Sequence, residues 1–199
     1  MTAAPRTRRL GLPSLPEQLP LLTLAPAALV RISRYDSGEP HFGRTGGNRF
    51  DDPDRQYGTC YFGLSLALAM AETLLHDAVA VRGQFLLHPD SIASRFVIAF
   101  HGRPLRLADL TGASLKRLGG HAALSGNASY RLPQKWSQAI HRHADVVDGF
   151  VYMSRHLNTE RVVVLFDRAG PRLRMAGATP LVRCAGLAEA ARMLGIRAA

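Results

Sequence analysis

At 199 residues, 47% of them hydrophobic, the chain has the length of one domain with a sizeable core and is too apolar to be disordered. Its formal net charge of +10 comes almost wholly from arginine, since Lys116 and Lys135 are the only lysines, and such an excess suits recognition of phosphate, carboxylate or nucleic acid. No apolar run is long enough to cross a bilayer, and two cysteines, Cys60 and Cys184, are too few for a disulfide framework.

The arginines are scattered apart from the Arg6–Arg9 cluster, and aromatics do not interleave with them as on a base-stacking platform. An arginine-rich composition is therefore a plain alternative to a nucleic-acid surface. Neither cysteine has a metal-ligand neighbour at the usual spacing, so both read as core thiols. The basic residues Arg6, Arg8 and Arg9 are followed by prolines 13, 16, 20 and 26, not by the apolar block of a signal peptide; a cytoplasmic protein is expected.

In chain order, residues 1–26 are rich in proline and leucine and predict an extended arm packed loosely on a domain spanning 27–199. Leu29–Ser33 alternates as a strand, with Arg31 opposite to Val30 and Ile32. Arg34–Gly47 is a loop, Asn48–Phe50 a short extended piece, Asp51–Gln56 a turn, and Tyr57–Phe62 a strand by composition. Ser65–Val79 reads as a helix with Ser65 as N-cap and a stop at Gly83. Strands follow at Phe85–Leu87 and Ser94–Phe100, then Leu107–Leu110 leads into a short helix near Ser114–Leu118. Gly119–Ser129 is a flexible loop, and Pro133–His143 a helix with proline at its start. Gly149–Ser154 and Arg161–Asp167 are strands, Leu173–Met175 and Pro180–Cys184 weaker ones, and Leu187–Leu194 a closing helix. Many short strands without a βαβ rhythm predict an α+β fold. No dinucleotide or Walker fingerprint is present, GRTGG at 43–47 lacking the context of either.

Glu72 is the oddest residue. The 65–79 segment is apolar on nearly every side, and Leu68, Glu72, Leu75 and Val79 fall on one stripe. A carboxylate there needs partners or a pocket. Arg31, Arg49, Tyr57 and Tyr61 are candidate partners, and the stretch reads as half of an active site for a cationic or cation-forming substrate. The plainer readings are a structural Glu72–arginine pair, Arg31 as a surface strand residue, tyrosines in the core with polar tips, and Ser154 as a strand-end hydroxyl. His41, His76 and His88 read as structural, and His141 and His143, two apart on a helix, do not share a face as metal ligands would. No metal is expected.

Arg31 on an early strand, Glu72 in an apolar helix and Ser154 at the end of a late strand stand in series with NRF at 48–50, the A-x-x-E-T-L-L-H helix, a W-x-x-A-I-type helix and D-G-F-V-Y-x-S. Over roughly Leu29 to Asp167 this order and spacing resembles the RES-domain family, named for Arg, Glu and Ser; many members are toxins of bacterial toxin–antitoxin pairs. Where many members carry a G-R-W-like element, this chain has G-N-R-F. The resemblance implies two small, mostly antiparallel sheets with flanking helices, as in ADP-ribosyltransferases, holding NAD+ in a cleft. It implies cleavage of the nicotinamide–ribose bond by phosphorolysis or hydrolysis, NAD+ being substrate and inorganic phosphate a possible co-substrate, with no cofactor. ADP-ribosylation of a protein is the alternative within the family. It also implies an Xre-type helix-turn-helix antitoxin, which itself binds DNA in some pairs, and a homo- or hetero-oligomer is open.

On that reading Glu72 steadies an oxocarbenium-like ribose or orients the sugar. Arg31 and Arg49 pair with pyrophosphate or incoming phosphate, Tyr61 or Tyr57 stacks on nicotinamide, and Ser154 hydrogen-bonds ribose or phosphate. Two competing readings remain: a basic nucleic-acid binder or ribonuclease-type toxin, and a silent module in which Arg31 and Glu72 pair and fill the cleft.

Overall fold

The computed structural model describes residues 13–198. Five strands, β1 (Leu21–Leu24), β3 (Thr59–Phe62), β6 (Leu105–Leu110), β7 (Gly149–Met153) and β8 (Arg161–Phe166), form the main sheet in the order β1-β6-β7-β8-β3. A second, antiparallel sheet has the order β2-β5-β9, with β2 at Val30–Ser33, β5 at Phe96–Gly102 and β9 at Leu173–Pro180. A two-stranded parallel sheet pairs β4 (Phe85–Leu87) with β10 (Ile196–Ala198). The α+β expectation of small sheets with flanking helices holds, with this small third sheet added. In the main sheet β6 and β7 run parallel, and the crossover between them carries helices α3 (Gly112–Arg117), α4 (Ala123–Gly126) and α5 (Arg131–His141).

The RVVVLF run of β8 shows why the two large sheets stack. Val162, Val164 and Phe166 enter a core under α5 with Phe50, Trp136, Ile140 and Phe150. Val163 and Leu165 point the other way, into a core between the sheets with Leu29, Phe62, Ile98 and Phe100. A strand buried on both faces reads as a continuous apolar run. A third core joins helix α1 (Leu66–Thr73) to helix α6 (Leu187–Leu194) through Met70, Leu75, Leu181 and Ala190.

Several expectations are corrected. The arm is not loose over its second half: Leu21–Leu24 pairs antiparallel with Leu105–Ala108, Leu19 is buried, and the Leu19 N–H donates to Asp145 Oδ2 at 2.8 Å. Residues 1–12 of that arm lie outside the described residues. Helix α1 begins as expected, with Ser65 Oγ accepting from the Leu68 N–H, but stops at Thr73. Apolar period does not set its end. Leu75 is still buried just past its end, but the stripe does not continue inward, Val79 and Val81 being 84% and 65% exposed. The two weak strands expected at Leu173–Met175 and Pro180–Cys184 are one strand followed by a 3₁₀ turn at Leu181–Arg183, because β5 partners it from Gly102↔Leu173 to Phe96↔Pro180, across one register shift at Ala99/Phe100. The expected loop at 119–129 contains the short helix α4.

The two large sheets are fused where β2 meets β3. Val30 and Gly63 exchange both backbone hydrogen bonds, at 2.9 and 2.8 Å. A Cβ on Gly63 would come within 2.8 Å of the Ala69 nitrogen, so only glycine lets α1 start this close to the seam. This seam places Arg31, Tyr61 and Glu72 around one cavity.

Candidate active site

The cavity holds about 500 Å³, within the ordinary range for small-molecule sites, and opens between β2, β3, α1 and the loop before β3. Its charged lining consists of Arg31, Arg49, Arg155 and Glu72, with Tyr61, Tyr130 and Tyr152 among the aromatic walls. Three guanidiniums against one carboxylate suit an anionic ligand with one electron-poor region.

Glu72 sits on the last turn of α1, half-buried, and Ser154 fixes it. The Ser154 hydroxyl accepts the N–H groups of His156 at 3.0 Å and Leu157 at 2.9 Å, and donates its single proton to Glu72 Oε1 at 2.6 Å. Ser154 is 2% exposed and is absent from the cavity lining. It is therefore not placed for the expected direct bond to ribose or phosphate. Strand β7 instead ends so that a buried hydroxyl aims the carboxylate. The silent-module reading requires Arg31 and Glu72 to pair, and they do not. Arg31 Nε donates to Glu39 Oε2 at 2.8 Å, and its Nη1 to the Tyr61 carbonyl at 3.1 Å, across the seam between the sheets. Burial raises the Glu39 carboxyl, but Arg31 and the His41 N–H outweigh it and the net shift is downward.

Arg49 is 7% exposed, and its Nη1 donates to the Asn127 carbonyl at 2.7 Å. The guanidinium lies 4.7 Å from the centre of the Tyr130 ring, a cation–π contact, while buried Nη2 has no partner among the described residues. Burial first, then Arg155, lowers the pKa of Arg49. The G-N-R-F element thus delivers a buried donor to the cavity wall. It is held from below by Asp51, 1% exposed, whose Oδ1 accepts from Thr59 and Tyr61 and whose Oδ2 accepts from Thr45 and from the backbone and side chain of Asn48.

Of the two tyrosines, Tyr61 lines the cavity and Tyr57 does not. The Tyr57 hydroxyl is 2.9 Å from Ser137 Oγ and its ring stacks on His141 at 3.8 Å, under α5. By period two along β3, Tyr57 and Tyr61 share a face, and both pack on the core under α5; what separates them is position along the sheet, Tyr57 meeting Ser137 and His141 while Tyr61 reaches the cavity. The phenol of Tyr61 is pushed well up by burial and by Asp51, so it stays a neutral hydroxyl. Burial pushes the Cys60 thiol up to about 12, which makes it an inert wall residue.

Arg155, Tyr130 and Tyr152 line the cavity without having been singled out from sequence. Arg155 follows Ser154 directly, so the end of β7 was the signal that pointed to it. His76 and His156 stand beside Glu72 with their rings 5.2 Å apart. Burial lowers the pKa of His156, with Glu72 opposing and Arg155 adding to it.

The sequence profile of the RES domain matches residues 27–184. The chain belongs to the RES-domain family. This RES domain is 39% identical over 80 residues to the "Probable toxin y4kH" of Sinorhizobium fredii (strain NBRC 101917 / NGR234), a match covering 40% of this chain and 62% of that relative. The chain thus spans about three-fifths of that relative's length. In fold it is similar to a chain of the crystal structure of the M. tuberculosis MbcT–MbcA toxin–antitoxin complex, with a TM-score of 0.60 and 13% identity over 87% of this chain and 91% of the other. Among the described residues no helix is long and apolar enough to cross a membrane.

Proposed function

We propose that this RES domain is the toxin of a toxin–antitoxin pair and that it cleaves NAD+ at the nicotinamide–ribose bond. The observation carrying the reading is Glu72: one carboxylate, aimed by a buried serine, in a cavity whose other charges are arginines. The pyrophosphate of NAD+ is the anionic part such a lining recognises, through Arg31, Arg49 and Arg155. When the C1′–N bond breaks, its electron pair passes to the nicotinamide nitrogen, nicotinamide leaves neutral, and the ribose carries transient positive charge. A fixed carboxylate beside it stabilises that charge more than it stabilises the ground state. Tyr61, Tyr130 and Tyr152 offer faces for the rings.

The acceptor is phosphate or water. The unpartnered Nη2 of Arg49 favours phosphate, since a buried guanidinium donor without a partner is costly unless a ligand pairs with it. Incubation with NAD+ across a phosphate series tests this. Nicotinamide release that rises with phosphate, together with a phosphorylated ADP-ribose product, is expected. Release independent of phosphate, with free ADP-ribose, assigns water as acceptor. Transfer of radiolabel from NAD+ to a protein band, with neither product, assigns ADP-ribosylation instead. The likeness to a chain of a toxin–antitoxin complex supports an antitoxin as partner; we propose one of the Xre helix-turn-helix type, and co-expression with such a gene is expected to relieve growth arrest.

A further inference from the structure

Glu72, His76 and His156 bring one ligand atom each to within 4.8 Å of one another. We infer that these three side chains form an inhibitory binding site for a divalent transition metal of the zinc class at the mouth of the cavity. Glu72 stands on the last turn of α1, His76 four residues on in the turn that follows it, and His156 reaches them from the turn after β7. The set is mixed imidazole and carboxylate, which suits zinc and not magnesium or calcium. Zinc binds such ligands at about 2.0–2.2 Å, so closing around an ion asks each side chain to move inward by about an ångström.

Each is placed to do so. Ser154 holds Glu72 by Oε1 alone, and among the described residues that is the only hydrogen bond to the Glu72 carboxylate, leaving Oε2 for an ion. The His76 ring makes no hydrogen bond among the described residues; it lies 4.0 Å from Asp77 Oδ1, and its side chain is 41% exposed. The His156 ring makes one hydrogen bond among the described residues, the Arg155 Nε–H donating to its Nε2 at 3.2 Å. Arg155 is exposed and is the group an ion competes with. Three protein ligands leave a fourth position for water. An ion there takes the carboxylate that the proposed reaction needs, so the inhibitory effect rests on the NAD+ reading, whereas binding does not.

The test is binding of Zn2+ by calorimetry and of Co2+ by visible absorption, on untagged protein freed of metal by a chelator. One ion per chain and the absorption of low-coordinate Co2+ with nitrogen and oxygen ligands are expected. His76→Ala and His156→Ala each weaken binding by about tenfold or more. Arg155→Ala tightens it, because a competing cation is removed, and His88→Ala, an exposed histidine outside the cavity, leaves it unchanged. Failure of wild type to bind, or binding unaltered by both histidine substitutions, overturns the site, whatever the outcome with NAD+. In the activity arm Zn2+ suppresses nicotinamide release and chelator restores it. Each histidine variant, referred to its own metal-free rate, then needs about tenfold more Zn2+ for the same suppression. Suppression at the same Zn2+ concentration in all variants contradicts the inference.

Discussion

Ser154 and Glu72 are 82 residues apart and act as a unit. A serine hydroxyl that already accepts two backbone N–H groups has one proton to give, and it gives it to Glu72. Ser154→Ala removes that restraint and leaves the cavity charges in place. It is expected to lower kcat for NAD+ cleavage by about tenfold to a hundredfold with little change in KM, as a misaimed group does. A rise in KM at constant kcat contradicts the positioning role. Arg49→Lys keeps the charge but loses the planar fork that serves Asn127, Tyr130 and the cavity together. It should raise the KM for phosphate, or for NAD+ if water is the acceptor, and steady-state kinetics against each ligand reads which. Of these residues, Glu72 was legible in the sequence because a lone carboxylate in an apolar helix is costly. The role of Ser154 was not, since nothing in the order of residues says that a strand-end hydroxyl meets a side chain on a distant helix.

Two elements hold the site from behind. The loop from Thr45 to Gln56 looks irregular, yet it is tied down at Asp51 from the strand side and at Asp52 from α5, whose Gln138 Nε2 donates to Asp52 Oδ1 at 2.8 Å. Asp51→Asn cannot accept the same five donors. It is expected to cost about 1–3 kcal/mol of stability and to weaken ligand binding through Arg49 and Tyr61 together. Chemical denaturation and a KM measurement on the variant check the two effects. The pairing of Tyr57 with His141 adds a pH dependence. Burial and the nearby Arg168 push His141 down to about 4 from its ordinary 6.5. The unfolded chain therefore binds this proton more readily. The stabilisation is full above about 6.5 and is lost as pH falls toward 4. Urea midpoints across that window should fall in wild type and fall less in His141→Phe, which keeps an aromatic stack without the titrating ring; equal slopes contradict this. Tyr57 was misplaced from sequence because strand period gives the face a tyrosine takes, which it shares with Tyr61, and not how far along that face the cavity lies. The start of α1 was legible from Ser65, and its end was not, because the end depends on what packs against it.

Across the whole molecule, two sheets share one seam, and the cavity lies on it. Many short strands with few helices and no βαβ rhythm made the α+β class legible. The sheet order was not legible, since pairing β6 parallel with β7 depends on a crossover of three helices. Nor was the place of Leu21–Leu24, whose proline-rich flanks read as an arm although its leucines close the edge beside β6. Removing residues 1–25 is expected to destabilise the domain by about 3 kcal/mol or more, through loss of buried Leu19 and of the edge strand. A thermal midpoint unchanged by the deletion contradicts that.

The central claim, that one carboxylate in an arginine-lined cavity drives the chemistry, is tested most directly by Glu72→Gln. This variant keeps the shape and the bond from Ser154 and removes the charge. Nicotinamide released from NAD+ by wild type and variant is the measurement, with far-UV circular dichroism to show that both are folded. The expected result is release by wild type and a loss of about a hundredfold or more in the variant. Full activity in Glu72→Gln, or no release by wild type with or without phosphate, contradicts the account.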